Sequence, residues 1–303
     1  MENKNLENKN SFKKKISSFY NNYLNKSRNR HFESVKDAYK YRPKRWISNL
    51  IFALIIVTIF LLFAFDVNFF KGTGRTDWDR FKAIFVGFFK PNFEYMFGFG
   101  EYEFSSSVVY QIIVTFAIAF CGTTIGSVLA LPFGFLASRK MVGKYAFISE
   151  LLLIAIRTFP EILLGYVLIK GTGFGAFTAM LVLAIHSIGM IGKLYSEQLD
   201  LIEDGPLEAL NACGANFTSR LKLGVVPQIA PNFISVILYR LDLNVRTATL
   251  LGLCAGDKGG IGYFISSYSE NSHWPELGAI MWGVILMVLL VDIISSSIRK
   301  KLI

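Results

Sequence analysis

The most constraining feature of this 303-residue sequence is an apolar block at residues 46–65, WISNLIFALIIVTIFLLFAF. The block contains no charged residue and no proline. A helix needs about 20 such residues to cross the roughly 30 Å hydrocarbon layer of a bilayer. A cleaved signal peptide would have a shorter apolar core close to the N-terminus, whereas 45 mainly polar residues precede this block. We therefore expect a retained membrane span.

Five further apolar blocks follow the first one, and six spans predict an all-α membrane protein with both termini on the same side. The blocks cover about 107–137, 145–169, 174–194, 230–252 and 277–296. Short basic segments beside spans are retained in the cytoplasm. Thirteen Lys and Arg precede the first block, three lie in 138–144 and three in 299–301. All of these segments fall on one side of a six-span chain, which predicts cytoplasmic termini.

The net charge of +10 is therefore read mainly as a topology signal. Nucleic-acid binding is disfavoured because the basic residues adjoin spans and lack regularly spaced aromatic stacking partners. The three cysteines are Cys121, Cys213 and Cys254, and their scattered positions indicate no disulfide framework.

The predicted organisation places the spans around one long cytoplasmic loop. Residues 1–45 form a basic cytoplasmic tail, which is either solvated or lies partly on anionic lipid as an amphipathic helix. After the first span at 46–65, residues 66–104 form an external loop whose mixture of charge and Phe suggests a short surface helix. Residues 105–296 form a five-helix core with a cytoplasmic loop at 195–229, and 297–303 form the cytoplasmic C-terminus.

Two glycine-rich segments raise the question of a phosphate-binding loop. Neither residues 170–175 nor residues 256–262 have the GxxxxGK[ST] spacing that such a loop requires. We find no nucleotide-binding motif in the sequence.

The polar loop between the fourth and fifth blocks predicts two short helices. Pro206 suits the first turn of a helix, with Asp204 or Gly205 as its N-cap. Gly214 is suited to end that helix. A second helix is then expected to end at Pro227.

The fifth block is unusual because it carries charged residues. Each such charge costs at least about 2.5 kcal/mol in an apolar span unless it has a partner, water or an interface. Spacing of four residues predicts a pair between Asp242 and Arg246 and another between Arg157 and Glu161. Arg240 has no local carboxylate. The surplus of arginine suits an anion passing between helices, and structural pairing of the helices is the alternative.

The sequence gives no sign of a catalytic or metal site. His186 has no second histidine or cysteine at ligand spacing, which favours a packing or hydrogen-bonding role. An enzyme acting on lipid phosphates would need a nucleophile or metal set, and the other histidines, His31 and His273, are isolated. An ion-coupled carrier would show inverted repeats, and no repeat of the spans is visible.

The loop resembles the cytoplasmic coupling loop of ABC importer permeases, whose pattern is E-A-A-x-x-x-G, nine residues, then aliphatic-x-aliphatic-P. Here Leu210 replaces the second Ala and Gly224 replaces the first aliphatic residue. The resemblance implies a type I importer permease fold and contact with a separate ATPase subunit. The residues expected to make that contact are Glu208, Ala209, Gly214, Asn216 and Pro227.

The same resemblance implies the other parts of the transporter. It implies a second permease copy, identical or a close paralogue, and an extracytoplasmic solute-binding protein that delivers the cargo. ATP and Mg are expected in the ATPase subunit, with no cofactor in this chain. The implied location is the bacterial cytoplasmic membrane, in contact with its lipid.

Residues 239–246, YRLDLNVR, resemble the phosphonate permease subfamily, in which Y-R-x-D-[IL]-N-V-R precedes a G-[AG]-G-G-I-G turn. The resemblance covers about 105–296 and implies a phosphonate, phosphate ester or phosphite as cargo, while another solute such as a phosphorylated vitamin remains an alternative. Asp257 and Lys258 are additional in the glycine-rich turn. The residues expected along the translocation path are Arg157, Arg240, Asp242, Asn244 and Arg246.

Overall fold

The computed structural model describes residues 46–66, 77–256 and 260–302, and this part of the chain contains helices and turns but no β-strand. The chain divides into two compact units, Met1–Asp77 and Trp78–Ile303. In the first unit, helix α1 spans Trp46–Asp66 and coincides with the first apolar block. Its large apolar side chains from Leu50 to Phe63 are exposed. A helix that is apolar all round requires an apolar surrounding, which a bilayer provides.

The second unit consists of helices joined by short connections. Two short 3₁₀ turns, Phe104–Ser106 and Gly143–Tyr145, and one π-helical turn, Leu221–Val225, lie between them. In chain order the helices are α2 (Trp78–Phe89), α3 (Phe93–Phe97), α4 (Val108–Ala137), α5 (Arg139–Val142), α6 (Ala146–Thr158), α7 (Glu161–Thr172), α8 (Ala176–Asp200), α9 (Gly205–Ala212), α10 (Phe217–Arg220), α11 (Val226–Ala255), α12 (Ile261–Glu270) and α13 (Trp274–Leu302).

Four of the described helical stretches are long and apolar enough to cross a membrane. They are α4, α8, the stretch from α10 into α11, and α13, and a bent pair that includes α6 and α7 makes a fifth if it is one span. The four stretches coincide with the predicted blocks at 107–137, 174–194, 230–252 and 277–296. The count of six spans and the side of the termini stay predictions.

The third predicted block, 145–169, is not one continuous helix. The chain bends by 87° between the stretch that ends with α6 and helix α7. Phe159 is extended (ψ 123°) and Pro160 precedes α7. Proline lacks an amide hydrogen and disfavours helical geometry in the residue before it, so the helix stops at Thr158. The expected span at 145–169 is therefore a pair of helices joined at a sharp bend, and its crossing of the membrane stays a prediction.

Small residues allow α4 and α8 to approach closely. Gly122, Gly126 and Gly134 lie on one face of α4, spaced by multiples of four residues. A Cβ atom on Gly126 would lie 2.7 Å from the carbonyl oxygen of Ala184, and one on Gly134 would lie 2.7 Å from the Cβ of Tyr195. Close backbone approach at such glycines is a usual source of helix association in membranes. The pair α4 and α8 therefore forms the centre of the bundle.

The described part of the predicted external loop contains two helices, α2 and α3, which pack on α13. Gly87 and Gly278 meet so closely that a Cβ on Gly278 would overlap the Gly87 carbonyl oxygen. The Trp282 indole donates to the Phe88 carbonyl over 2.9 Å. The Asn92 side-chain amide donates to a Glu276 carboxylate oxygen over 3.1 Å. This segment from Trp78 onward belongs to the second compact unit.

Close packing against α4 explains why a glycine stands at the C-terminal end of the turn before α12. Gly260 has φ 87°, and a Cβ there would lie 2.5 Å from the Thr115 hydroxyl oxygen. The same hydroxyl accepts a hydrogen bond from the Ile261 amide over 2.9 Å. The additional Asp257 and Lys258, like the N-terminal tail 1–45, lie outside the described residues.

Candidate functional site

The loop that joins α8 to α11, residues 201–225, is called the interhelical loop below. Its first helix, α9, begins as the sequence predicts, with Asp204 preceding it and Pro206 in its first turn. The Asp204 carboxylate does not cap the helix but pairs with Lys140 Nζ on α5 at 2.6 Å. Lys140 Nζ also donates to the Ile202 carbonyl oxygen. The start of the loop is thus tied to α5.

Gly214 ends α9, which confirms the prediction for this residue. Its backbone is left-handed, with φ 73°, and its amide donates to the Asn211 carbonyl over 2.9 Å. The next amide, that of Ala215, donates to the Leu210 carbonyl over 3.0 Å. Glycine adopts this conformation at the least cost. No atom lies within 4 Å of where a Cβ on Gly214 would be.

The second short helix does not end at Pro227, so that prediction was wrong. Asn216 caps α10, its side-chain oxygen accepting from the Ser219 amide over 2.8 Å. The chain then passes through the π-helical turn into α11, and Pro227 occupies the first turn of that long helix. A proline is tolerated there because the first amides of a helix need no intrahelical acceptor.

The inner face of α9 packs on the π-helical turn. A Cβ on Gly224 would lie 2.8 Å from Leu207 Cδ2 and 3.0 Å from Leu210 Cδ1. Gly224 is buried, and both leucines are partly buried. Leu210 and Gly224 are the two departures from the coupling-loop pattern, and they contact each other. Leu210 is larger than the Ala of the pattern, and Gly224 is smaller than the aliphatic residue of the pattern. The two changes together keep the space between α9 and the π-helical turn filled.

The outer face of the interhelical loop is exposed. All five residues predicted to contact a partner, Glu208, Ala209, Gly214, Asn216 and Pro227, are exposed. Beside them lies an open cleft of ≈ 320 Å³. The cleft is lined by Lys140, Met141, Asp204, Leu207, Glu208, Asn211, Phe217, Arg220, Leu221 and Val225. Exposed small apolar side chains beside charged ones suit docking of another protein.

The base of the interhelical loop is held firmly to the bundle. The rings of Tyr195 on α8 and Phe233 on α11 stack with centroids 3.9 Å apart and an interplanar angle of 9°. Both belong to a buried apolar cluster with Ile202 and Val225. Gln228 accepts from the Glu203 amide over 2.9 Å and donates to the Gly224 carbonyl over 2.8 Å. A force on the loop would therefore reach α8 and α11.

Further along α11, Arg240 is buried and is paired across helices. Its Nη2 donates to Glu161 Oε1 on α7 over 2.9 Å, and its Nε donates to Ser187 Oγ on α8 over 3.2 Å. His186 Nδ1 lies 2.6 Å from the same Glu161 oxygen. We call Glu161, His186 and Arg240 the charge cluster. Its members come from three helices.

The predicted pair between Arg157 and Glu161 was wrong. Spacing of four residues brings side chains together only on a continuous helix, and Pro160 separates α6 from α7. Arg157 is exposed, and its carbonyl oxygen lies 3.3 Å from His186 Nε2. The break redirects Glu161 towards α8 and α11.

The predicted pair between Asp242 and Arg246 is confirmed. Arg246 Nη2 donates to both carboxylate oxygens of Asp242, over 3.1 and 3.0 Å. The Asp242 side chain is buried, whereas that of Arg246 is 51% exposed. A half-exposed arginine with a buried partner can present its remaining donors to the surface.

Asn244 is linked to the charge cluster through Ser187, whose hydroxyl oxygen also accepts from Arg240. Its side-chain amide donates to Thr123 Oγ1 over 2.7 Å and to Ser187 Oγ over 2.9 Å. Sequence reasoning placed Asn244 on the path but missed Glu161 and His186 as partners of Arg240. Two features of the sequence indicate the missed pair of Arg240 and Glu161. A buried arginine needs a carboxylate, and a helix break at Pro160 separates Glu161 from Arg157 and leaves its carboxylate for another partner.

The described residues contain no group of three or more His, Cys, Asp or Glu side chains that could hold a metal ion.

The span-length helices define a multi-pass membrane protein, with an exposed interhelical loop and buried paired charges. Residues 130–302 match the model of the family described as binding-protein-dependent transport system inner membrane components. The chain belongs to this family. It is accordingly a transport subunit and not an enzyme.

Two curated relatives indicate what similar chains transport. One is a phosphite transport system permease protein of Stutzerimonas stutzeri, 34% identical over 196 residues, covering 64% of this chain and 70% of that one. The other is a phosphate-import permease protein of Mycolicibacterium smegmatis, 28% identical over 190 residues, covering 62% of this chain and 35% of that one.

A solved structure supports the fold. The inward-facing MetNI methionine ABC transporter aligns with a TM-score of 0.57 and 21% identity, covering 65% of this chain and 96% of that one. The predicted all-α fold of importer permeases is confirmed, whereas the number of spans and the side of the termini stay predictions.

Proposed function

We propose that this chain is the permease subunit of an ATP-driven importer in the bacterial cytoplasmic membrane, and that its cargo is a phosphorus oxyanion. The observation that carries the proposal is the interhelical loop, whose pattern residues are exposed while its inner face is locked to α8 and α11. The names of the relatives support a phosphite, phosphate or phosphonate as cargo.

The loop is proposed to dock on a separate ATPase subunit. Glu208, Ala209, Gly214, Asn216 and Pro227 supply the contact surface, and ATP and Mg are bound by the ATPase alone. Closure of two ATPase subunits would then move the loops of two permease copies, which are identical or close paralogues. Such a rigid-body movement is a common way to switch a bundle between two states.

The path for the cargo is proposed to follow the charged part of α11. Arg240 and Asn244 lie in one polar network, and the neighbouring Arg246 keeps part of its guanidinium exposed beside Asp242. Arg157 contributes an exposed positive charge near the helix break. Arginine is well suited to oxyanions because its planar donors match two oxygens at once. A solute-binding protein would deliver the anion at the outer face.

Reconstitution tests the proposal. The chain is placed in proteoliposomes with its ATPase subunit and solute-binding protein, and ATP-dependent uptake of labelled phosphite, phosphate, methylphosphonate and thiamine phosphate is measured. We expect uptake of at least one of the first three only when both partners and ATP are present. Uptake without the ATPase would instead identify an ion-coupled carrier. Uptake of thiamine phosphate alone would replace the small phosphorus oxyanions by a phosphorylated vitamin as the cargo.

A further inference from the structure

Helix α2 presents a row of four exposed aromatic side chains. Trp78, Phe81, Phe85 and Phe89 are between 56% and 64% exposed. Their spacing of three and four residues places them within about 80° of one another around the helix axis. The ring centroids of Trp78 and Phe81 are 6.0 Å apart, and those of Phe85 and Phe89 are 5.2 Å apart. We call these four side chains the aromatic stripe.

The aromatic stripe lies opposite the surface of α2 that packs on α13. Gly87 is buried against the start of α13, and Ala83, one turn earlier, is partly buried. Both positions are about 160° from the centre of the stripe at 100° per residue. The stripe therefore points away from α13.

The contacts place α2 beside the apolar part of α13 and not beyond its end. Helix α13 is long and apolar enough to cross a membrane, and its apolar block covers 277–296. Gly87 contacts Gly278, and the Phe88 ring stacks on Trp282 with centroids 5.3 Å apart. At 1.5 Å per residue, these two α13 residues lie about 2 and 8 Å inside the block. Helix α2 is thus at the level where the hydrocarbon layer begins.

The face of α13 that α2 covers continues as an exposed apolar surface. One and two turns after Trp282, the side chains of Ile285, Leu286 and Leu289 are exposed. These residues are spaced three, four and seven positions from Trp282, which places them on the same face of the helix. An apolar surface of this kind on a membrane-crossing helix faces lipid. Helix α2 therefore lies on the lipid side of α13.

The two flanks of α2 differ in polarity, and the aromatic stripe runs between them. Asp79 and Lys90 lie on one flank, with Lys82 between them and the stripe. Ile84 and Phe88 lie on the other flank. A helix in the membrane surface has its charged side towards water and its apolar side towards hydrocarbon. Lysine beside an apolar face can extend its ammonium group to the headgroups.

The contacts with α13 support the same orientation. Phe88, on the apolar flank, meets Trp282 inside the apolar block. Beyond the charged end of α2, the Asn92 amide donates to the Pro275 carbonyl over 3.0 Å, before the block begins. The apolar flank is thus directed towards the membrane centre and the charged flank towards water.

We propose that α2 is an interfacial helix whose aromatic stripe inserts into the phospholipid bilayer at the boundary between headgroups and acyl chains. The bilayer is the partner because the stripe lies beside the exposed apolar face of α13 and at the depth where hydrocarbon begins. Aromatic side chains are favoured at this boundary. On the predicted topology the stripe lies in the outer leaflet. The proposal does not depend on the cargo or on docking of an ATPase subunit.

The consequence is an anchor for one end of α13. The Trp282 indole donates to the Phe88 carbonyl over 2.9 Å, and the Asn92 side-chain amide donates to Glu276 over 3.1 Å. These bonds join α2 to the first turns of α13. Insertion of the stripe would therefore hold that end of α13 at a fixed depth in the membrane.

The test measures the depth of nitroxide spin labels in the purified complex of this chain with its ATPase subunit, in phosphatidylcholine nanodiscs. Cys121, Cys213 and Cys254 are first replaced by Ser. Phe85→Cys on the stripe and Asp79→Cys on the charged flank are then labelled one at a time. Electron paramagnetic resonance power saturation with oxygen and with a water-soluble nickel chelate gives the depth of each label. Asp79→Cys is the matched control because Asp79 is exposed and lies on the same helix.

We expect the Phe85→Cys label about 5–10 Å below the phosphate level, where oxygen reaches it more readily than the nickel chelate does. The Asp79→Cys label should lie at or above the phosphate level and show the opposite preference. Phe81→Cys repeats the measurement if the Phe85→Cys complex does not assemble. Phe81 is 56% exposed, so its replacement leaves the packing on α13 intact.

Two results would overturn the proposal. A Phe85→Cys label that collides mainly with the nickel chelate would place the stripe in water. Low accessibility to both reagents would show that protein covers the stripe. That protein is a second permease copy if the complex alone shows the protection, and the solute-binding protein if protection appears only after it is added. Loss of the proposed cargo would leave the expected label depths unchanged.

Discussion

Arg240 shows how a single buried charge can organise several helices. Its guanidinium is fixed by Glu161 from α7 and by Ser187 from α8. Leaving one member of a buried ion pair without its partner costs about 3–5 kcal/mol. The charge cluster therefore stabilises the contact of three helices in addition to any role in binding anions.

Gly214 allows the docking surface to be tested with one substitution. We expect Gly214→Trp to lower ATP-dependent uptake at least about tenfold, because a large side chain would stand on the surface where a partner is proposed to dock. The bundle should still fold, since no atom lies within 4 Å of a Cβ at this position. Left-handed backbone at a non-glycine residue costs about 1–2 kcal/mol. Uptake by proteoliposomes and assembly with the ATPase subunit are the measurements.

The control for backbone strain is Gly214→Ala, which places a non-glycine residue in the same left-handed conformation but adds only a methyl group. It should retain most of the uptake. Normal uptake by Gly214→Trp would remove this residue from the docking surface.

At the level of residues, sequence reasoning succeeded where partners are local. The pair of Asp242 and Arg246 follows from spacing on one continuous helix. The partner of Arg240 could not be found this way, because Glu161 is 79 residues distant in sequence and meets Arg240 only through the fold. Spacing gave the wrong partner for Glu161 because the helix breaks at Pro160.

At the scale of elements, α9 and the π-helical turn form one packed unit. Leu210 fills the space that Gly224 leaves open, so the two departures from the family pattern compensate each other. Neither residue is exposed to a docking partner to the extent of Glu208 or Ala209. The inner packing of this loop can therefore differ from the pattern while its outer surface keeps the pattern.

This compensation predicts a coupled pair of substitutions. Gly224→Leu should destabilise the protein by about 1–3 kcal/mol because the new side chain overlaps Leu210 and Leu207. Combining it with Leu210→Ala should recover about 1 kcal/mol or more relative to additive effects. Thermal unfolding in detergent of the two single variants and the double variant gives the coupling free energy. Equal destabilisation by Gly224→Leu in both backgrounds would contradict the proposed compensation.

The apolar blocks predicted most of the long helices because span length and lack of charge are properties of the sequence alone. Two boundaries were missed. The break at Pro160 was signalled locally by the proline, but the apolar run on both sides obscured it. The sequence predicts a helix end at Pro227, whereas packing of the π-helical turn beneath α9 places this proline in the first turn of α11.

For the whole molecule, the interhelical loop and the charge cluster lie on the same two long helices. Tyr195 and Phe233 stack at the base of the loop, while His186 and Arg240 lie further along α8 and α11. At 1.5 Å per residue these positions are separated by roughly 10–14 Å along each helix. A rigid displacement of the loop would therefore move two sides of the charge cluster relative to α7, which carries Glu161.

The central claim is that energy from a separate ATPase enters this bundle through the interhelical loop on the cytoplasmic side. Cys213 follows α9 on that loop and is exposed and free, so it is a native probe. With Cys121 and Cys254 replaced by Ser, labelling by a membrane-impermeant maleimide is compared between intact spheroplasts and inside-out vesicles. The account predicts labelling only in inside-out vesicles, and strong protection when the ATPase subunit is bound. Labelling from the outside, or equal labelling with and without the ATPase subunit, would contradict it.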